Sequence, residues 1–492
     1  MEGGLQFNKI IMNKIYNYIS GRIKIQDSSD FLPKFNPVNG EIQCYFIDSD
    51  KSDLTDAYNS STYASNLIEK LSLPQRGDLL FKTVLKMEDM KSELINLIHL
   101  ETGKSLKDAE GEFYAALNQG KYWASEGMRY FTNVLQSNNA LKRTYCLRMP
   151  LGVVGLIVPA NTPLANIAWK FFPSFLCGNS SILKSSEDAP QIANLFAEIV
   201  SETIKIDGAL NVLHGSGSKI GNMIVEHVGI KLISFTGSTN VGREISKKTS
   251  MLLKRQSLEL GGKNPIILCE DSNIELAVNW IYLSSFSNAG QRCAAASLVY
   301  ISEGIYEKVI EKIKTRMQSL KMGHEDHAHL GPVINRKQKK NILECIGNAQ
   351  KRGASLITNI ELLKIQEFSP GYYVAPTFIL DLAKDDELVN IELFGPVALI
   401  YKFKTKEEIL DLCNNNNFGL TSAVHTQNID LAHYFINNLR YGVVNINGGT
   451  FGSEPHFPFG GFRYSGNGTR EPGLDAINVY SELKTVSILN HE

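Results

Sequence analysis

Between about residues 151 and 258 the chain alternates short β-type runs with helical ones. The runs are GVVGLIVP, a helix to Phe175, SSILK, a helix from about Pro190, ALNVLH, a short helix, KLISFT and a helix from about Asn240. Such alternation is the pattern of a parallel sheet wound with helices. A second series follows: IILCE leads into a helix with Ile274, Ala277, Val278, Ile281 and Ser285 on one face, then a break at Asn288-Ala289-Gly290, then a strand near SLVYI. The expected fold class is therefore α/β, with two wound α/β domains in tandem, preceded by a helical region over about 60–130 whose apolar residues recur three and four apart. At 492 residues the chain has length for two or three domains.

Composition narrows the function classes. Lys plus Arg number 50 against 51 Asp plus Glu, a net charge of −1, so no nucleic acid or anionic membrane is implied as partner. The seven cysteines, at 44, 146, 177, 269, 293, 345 and 413, are scattered and form no CxxC pair. That argues against a disulfide framework or zinc ribbon and for a reducing, cytoplasmic compartment. No apolar run reaches the ~20 residues needed to span a bilayer, and with Asn, Lys and Tyr mixed into its apolar residues the N-terminal stretch is not expected to act as an export signal. His324, His327 and His329 fall in one short loop-like stretch without an obvious distant fourth ligand, so they are read as incidental and no metal is expected.

Several short segments carry chemistry. Pro159-Ala160-Asn161 closes a strand and opens a helix, where Asn161 can either cap the helix or donate a side-chain N–H to a reacting oxygen. Lys184-Ser185-Ser186-Glu187 ends the next strand, at a level where dinucleotide folds hold ribose hydroxyls by a carboxylate. The usual glycine fingerprint is absent, and the turn from Gly215 to Gly221 has three residues rather than two before its last glycine. Gly237-Ser238 breaks a strand directly into a helix, a seat for pyrophosphate or simply a capped helix. Glu259 stands beside Gly261 and Gly262, where a desolvated carboxylate can serve as general base or lie unused on a surface. Cys293 lies among small residues next to Arg292, readable as a nucleophile or as an inert core thiol.

These pieces occur in one order: PAN at 159–161, KSSE at 184–187, FTGSTNVG, ELGGKNP, GQRC, ELFGP at 392–396 and PFGG at 458–461. The order, over residues 150–475 at least, resembles the aldehyde dehydrogenase superfamily. The resemblance implies a modified Rossmann cofactor domain (1–129 and 151–258), a catalytic domain (259–465) and a small β bridging element (130–150 and 475–492) through which a homodimer or homotetramer forms. It implies Cys293 as nucleophile, Glu259 as general base, Asn161 with the Cys293 N–H as oxyanion hole, and Lys170 and Glu471 as a proton relay. Ile157, Lys184, Glu187, Gly217, Ser238, Leu260, Glu392 and Phe394 would hold the cofactor. NAD is expected to be preferred because Glu187 repels a 2′-phosphate, with NADP possible through Lys184 and the adjacent serines. Thr162, Asn166 and Trp169, at i, i+4 and i+7, together with Arg292 and His456, would line the pocket for a small aldehyde, and the Gly452–His456 loop looks like that of the semialdehyde-oxidising branch. The family's usual PWN is PAN here, with Ala160 for the aromatic, a change expected to spare function. Rival readings are a relative that transfers the acyl group to coenzyme A, which commonly lacks the base Glu259, a catalytically silent member of the fold, and a cysteine hydrolase without a redox step.

Overall fold

The computed structural model describes residues 14–26, 30–129, 133–325 and 327–490. The first wound sheet orders its strands as Arg255–Glu259, Leu232–Thr236, Val153–Ile157, Ser180–Lys184 and Leu210–Leu213, all parallel, and Tyr18–Ile19 and Arg22–Ile23 extend it antiparallel. The chain starts centrally at Val153–Ile157, builds outward on one side, then returns to lay Leu232–Thr236 on the other. A crevice opens where strand order reverses in this way, outside the carboxyl ends of the strands. Strands buried on both faces need continuous apolar runs, and VVGLI is buried at every position.

The second sheet runs Ser355–Ile357, Thr377–Leu380, Val397–Phe403, Ala296–Ser302, Asn264–Leu268, Thr421–His425 and Val443–Ile446, parallel except for the first edge strand. Four helices, Lys51–Ile68, Leu73–Asp89, Lys91–Thr102 and Leu106–Glu126, precede the parallel strands of the first sheet, so the helical region begins about nine residues earlier than periodicity suggested. Its stretch LLFKTVLKMEDMKSELINLIHLETG is two helices divided at Met90. Phe113, Trp123, Phe171, Phe172, Phe175 and Phe196 fill the space between these helices and the sheet.

Lys142–Pro150 pairs antiparallel with Ser481–Leu489 over nine residues, and Val134–Leu135 joins its other edge. The C-terminal strand thus starts at 481, after a short helix Ala476–Tyr480. Glu259 closes the last strand of the first sheet, and the second sheet begins at Asn264, so Glu259 stands at the seam between the two units. Among the described residues, no helix is long and apolar enough to cross a membrane.

Candidate active site

The loop that carries Cys293 is shaped by backbone conformation. After helix Ile274–Phe286 the chain passes through Asn288, Ala289 and Gly290 with φ of 53, 52 and 67°. Gly and Asn visit that region readily, whereas Ala at φ 52° is held there only by its surroundings, the kind of local strain that gathers at functional sites. Asn264 Nδ2 donates to the Cys293 and Ala295 carbonyls at 2.7 and 2.9 Å, and Thr450 Oγ1 donates to the Ala294 carbonyl at 2.6 Å. A Cβ on Gly262 would stand 2.7 Å from the Cys293 carbonyl oxygen, so glycine is required for the two segments to meet.

Burial pushes the Cys293 thiol up to about 12, and the charges of Glu259 and Glu392 add to the shift, while the N–H groups of Ala294 and Cys293 itself oppose it. Glu259 is 5% exposed, and neither carboxyl oxygen has a hydrogen-bond partner. Desolvation first and the neighbouring Glu471 second raise its pKa well above the usual carboxylate range, with Lys170 and Arg470 pulling the other way. Once deprotonated, an unpartnered carboxyl with raised proton affinity has what a general base requires.

Asn161 follows strand Val153–Ile157. Its Nδ2 donates to the Gln291 carbonyl at 2.9 Å, two residues before Cys293. Lys170 Nζ donates to Glu471 Oε2 at 2.8 Å and to Ser234 Oγ at 2.7 Å, both buried. Ser234 and Tyr480 hydroxyls each donate to Glu471 Oε1 at 2.9 Å. Nothing in the local sequence distinguished Ser234 or Tyr480, because their meeting spans 246 residues of chain.

A cavity of about 730 Å³ leads to Cys293 and is lined by Asn161, Thr162, Trp169 and Arg292 among others. Asn166 is not part of its wall: this side chain turns back to donate to Thr162 O and Oγ1, both at 2.9 Å, and to Asn161 Oδ1 at 3.3 Å. His456 also lies off the wall, exposed and 3.9 Å from Glu454. Arg292 Nη2 donates to Asp108 Oδ1 at 3.2 Å, and the guanidinium lies over the Phe451 ring at 4.8 Å. Lys104, Asp108 and Glu112 line the same cavity, and the sequence reading did not single them out. His324 stacks on His99 with centroids 3.9 Å apart, and His329 Nδ1 accepts the Lys321 N–H.

On the other side of the seam a second cavity, about 720 Å³, lies over the strand-order reversal. Ile157, Lys184, Glu187 and Gly217 line it, with Gly237, Asn240 and Val241 at the start of helix Thr239–Met251. Glu187 Oε1 accepts the Gly217 N–H at 2.8 Å and lies 3.8 Å from Lys184 Nζ. Ser238 caps that helix, while Leu260 is buried where a Cβ on Gly242 would strike it, and neither lines the cavity. Glu392 Oε1 accepts the Gly262 N–H at 3.1 Å, and burial lifts its carboxyl to about 7. Phe394 has φ 50°, and its carbonyl accepts from Gln338 Nε2 at 3.1 Å. An open crevice, a helix N-terminus and a carboxylate at its far end suit a dinucleotide.

The profile of the aldehyde dehydrogenase family matches residues 24–486. This chain belongs to that family. It is 33% identical over 480 residues to alpha-ketoglutaric semialdehyde dehydrogenase of Bacillus subtilis strain 168, covering 97% of this chain and 98% of that one. The NAD+ complex of the Bacillus cereus aldehyde dehydrogenase superposes with TM-score 0.93 at 29% identity, covering 98% of each chain. A 3,6-anhydro-L-galactose dehydrogenase in complex with NADP superposes with TM-score 0.92 at 28% identity, covering 96% of this chain and all of that one. The enzyme is thus an oxidoreductase acting on an aldehyde, in a family that uses NAD or NADP.

Proposed function

We propose that this dehydrogenase oxidises a short polar aldehyde, with carboxylate-bearing semialdehydes first among them, to its acid by covalent catalysis at Cys293. The observation that carries the reading is the convergence of three groups at Cys293: its thiol and Asn161 share one cavity, and the unpartnered Glu259 carboxyl lies near enough for its charge to act on that thiol. Cys293 Sγ, once deprotonated, bonds to the carbonyl carbon, and the Asn161 Nδ2 and Cys293 N–H donors receive the developing oxyanion. NAD(P), bound in the second cavity, supplies the hydride acceptor. The acyl group left on Cys293 is a thioester. Glu259 takes a proton from water as its oxygen bonds to the acyl carbon, and the thiolate leaves. Lys170 and Glu471 offer that proton a route away from Glu259.

Lys184, Glu187, Gly217 and the turn before helix Thr239–Met251 would hold the adenosine and pyrophosphate, and Glu392 with Phe394 the nicotinamide ribose. Glu187 supports NAD as preferred cofactor: its carboxylate can accept from two ribose hydroxyls and repels a 2′-phosphate. Lys184, 3.8 Å away, moderates that repulsion, so NADP is used less well rather than excluded. Seven free cysteines suit a reducing, cytoplasmic setting.

Arg292 supports the semialdehyde class, since only one of its N–H groups bonds to Asp108, and a planar cation on a cavity wall can grip a distal carboxylate. The Asp108 partner favours a second reading, a neutral polar aldehyde, because it already offsets the charge. An aldehyde panel assayed by reduced-nicotinamide absorbance with both cofactors decides between them. Semialdehydes should give the highest kcat/KM, NAD should exceed NADP, and R292A should raise KM by about tenfold for acidic substrates alone. A preference for hexanal or benzaldehyde, with R292A affecting all substrates alike, refutes the substrate class.

A further inference from the structure

Gly103 ends helix Lys91–Thr102 with φ 70° and turns the chain so that Lys104 enters the wall of the substrate cavity. Ser105 then caps helix Leu106–Glu126, whose Asp108, Glu112 and Ala115 share the cavity-facing side at i, i+4 and i+7. Lys104 is 4% exposed. Its ammonium donates to Glu112 Oε2 at 2.6 Å and to the backbone carbonyl of Asn161 at 2.6 Å. Glu112 in turn accepts, through Oε1, the N–H groups of Leu164 and Ala165 at 2.8 and 3.3 Å, the first turn of helix Pro163–Leu176. Asn288 Nδ2 adds a second donor to the Asn161 carbonyl at 3.1 Å, and the Asn288 N–H is held by Asp108 at 3.1 Å.

A buried ion pair is an expensive way to stabilise a fold, because desolvation offsets most of the attraction between the charges. What this pair does supply is geometry. The peptide carrying Asn161 is clamped by a cation on its carbonyl, and the helix that begins two residues later is clamped by the same cation's partner. Backbone orientation sets the Cα–Cβ direction, and that sets where the Asn161 amide points. An oxyanion donor displaced by ~1 Å loses most of its worth.

We infer that Lys104 and Glu112 are positioning residues for the oxyanion hole, acting through the Asn161 backbone rather than on the substrate. The inference rests on the oxyanion role assigned to Asn161. The test measures the single-turnover rate of reduced-cofactor formation, with aldehyde KM and cofactor Kd alongside, in N161A, K104M/E112Q, E112Q and the combination of all three substitutions. The double variant removes both charges, so no orphaned ion is left to unfold the protein, and a purely structural pair would leave its rate at the wild-type value. N161A should slow the step about 100-fold. K104M/E112Q should slow it tenfold or more and E112Q by less, with KM and Kd unchanged within twofold. Adding K104M/E112Q to N161A should cost nothing further, the non-additivity expected of residues acting through one group. A wild-type rate in both K104M/E112Q and E112Q, or a full tenfold further loss on the N161A background, overturns the positioning role while leaving the oxyanion reading intact. A wild-type rate in N161A overturns the oxyanion reading itself, and the positioning role with it.

Discussion

The surroundings of Cys293 and Glu259 bias both toward their neutral forms. Burial, reinforced in each case by neighbouring carboxylates, raises both pKa values, and in the roles proposed for them both groups must be deprotonated, as thiolate and as carboxylate. The sign follows directly: raising pH populates the working form of each, so kcat/KM should climb from neutral into alkaline solution, and a profile falling over that range contradicts the assignment. Removing only the base separates the two halves of the reaction. E259Q should release one equivalent of reduced cofactor per site and then stall, with an acyl mass adduct on Cys293, whereas steady turnover at the wild-type rate rules the role out. At this scale much was legible, since Cys293, Glu259 and Asn161 each stand in a turn of unusual composition. Asn166 shows the limit. Helical spacing puts it on the face of Thr162 and Trp169, but a short amide in the first turn can reach the preceding carbonyl, and it does so instead of facing the cavity.

Elements matter here mainly as holders of turns. The turn from strand Arg255–Glu259 to strand Asn264–Leu268 carries two glycines with different tasks. A Cβ at Gly261 would land on the Glu392 carboxylate, the end of a flexible side chain, while a Cβ at Gly262 meets the backbone carbonyl of Cys293. G261A should therefore leave thermal stability nearly unchanged and weaken cofactor binding about tenfold, or ~1.4 kcal/mol, by titration. Unchanged affinity would show that Glu392 takes no part in the cofactor site. The alternation of strands and helices announced Val153–Ile157, Ser180–Lys184, Leu210–Leu213 and Leu232–Thr236 of the first sheet because each is short, largely apolar and followed by a helix, whereas Arg255–Glu259, polar and leading straight into another strand, gave no such signal. Thr421–His425 and Val443–Ile446 of the second sheet gave no comparable signal. The edge strand Val443–Ile446 is half-buried throughout, without the continuous apolar burial that marks a central strand.

Over the whole molecule the three-stranded sheet of Val134–Leu135, Lys142–Pro150 and Ser481–Leu489 exposes Val134, Leu135, Leu483, Ile488 and Leu489. Apolar side chains gathered on one small sheet suit burial against another copy. Sedimentation should therefore find a homodimer or homotetramer, and deletion of residues 481–492, which bares a strand edge and removes part of that surface, should shift it to smaller species or to aggregates. A wild-type monomer refutes the assembly. The sequence by itself determined what is local: strand and helix periods, the glycine turns, the near-balanced charge, and which thiol, carboxyl and amide are candidates for the chemistry. Only the tertiary structure decided what those groups meet. Lys104 reaches Asn161 across 57 residues and Lys170 reaches Glu471 across 301, and Asp108 partners Arg292 across 184. Local sequence encodes backbone preference over a few residues, whereas partners so distant are selected by packing of the folded chain, so the protonation and aim of the reacting groups are properties of the fold.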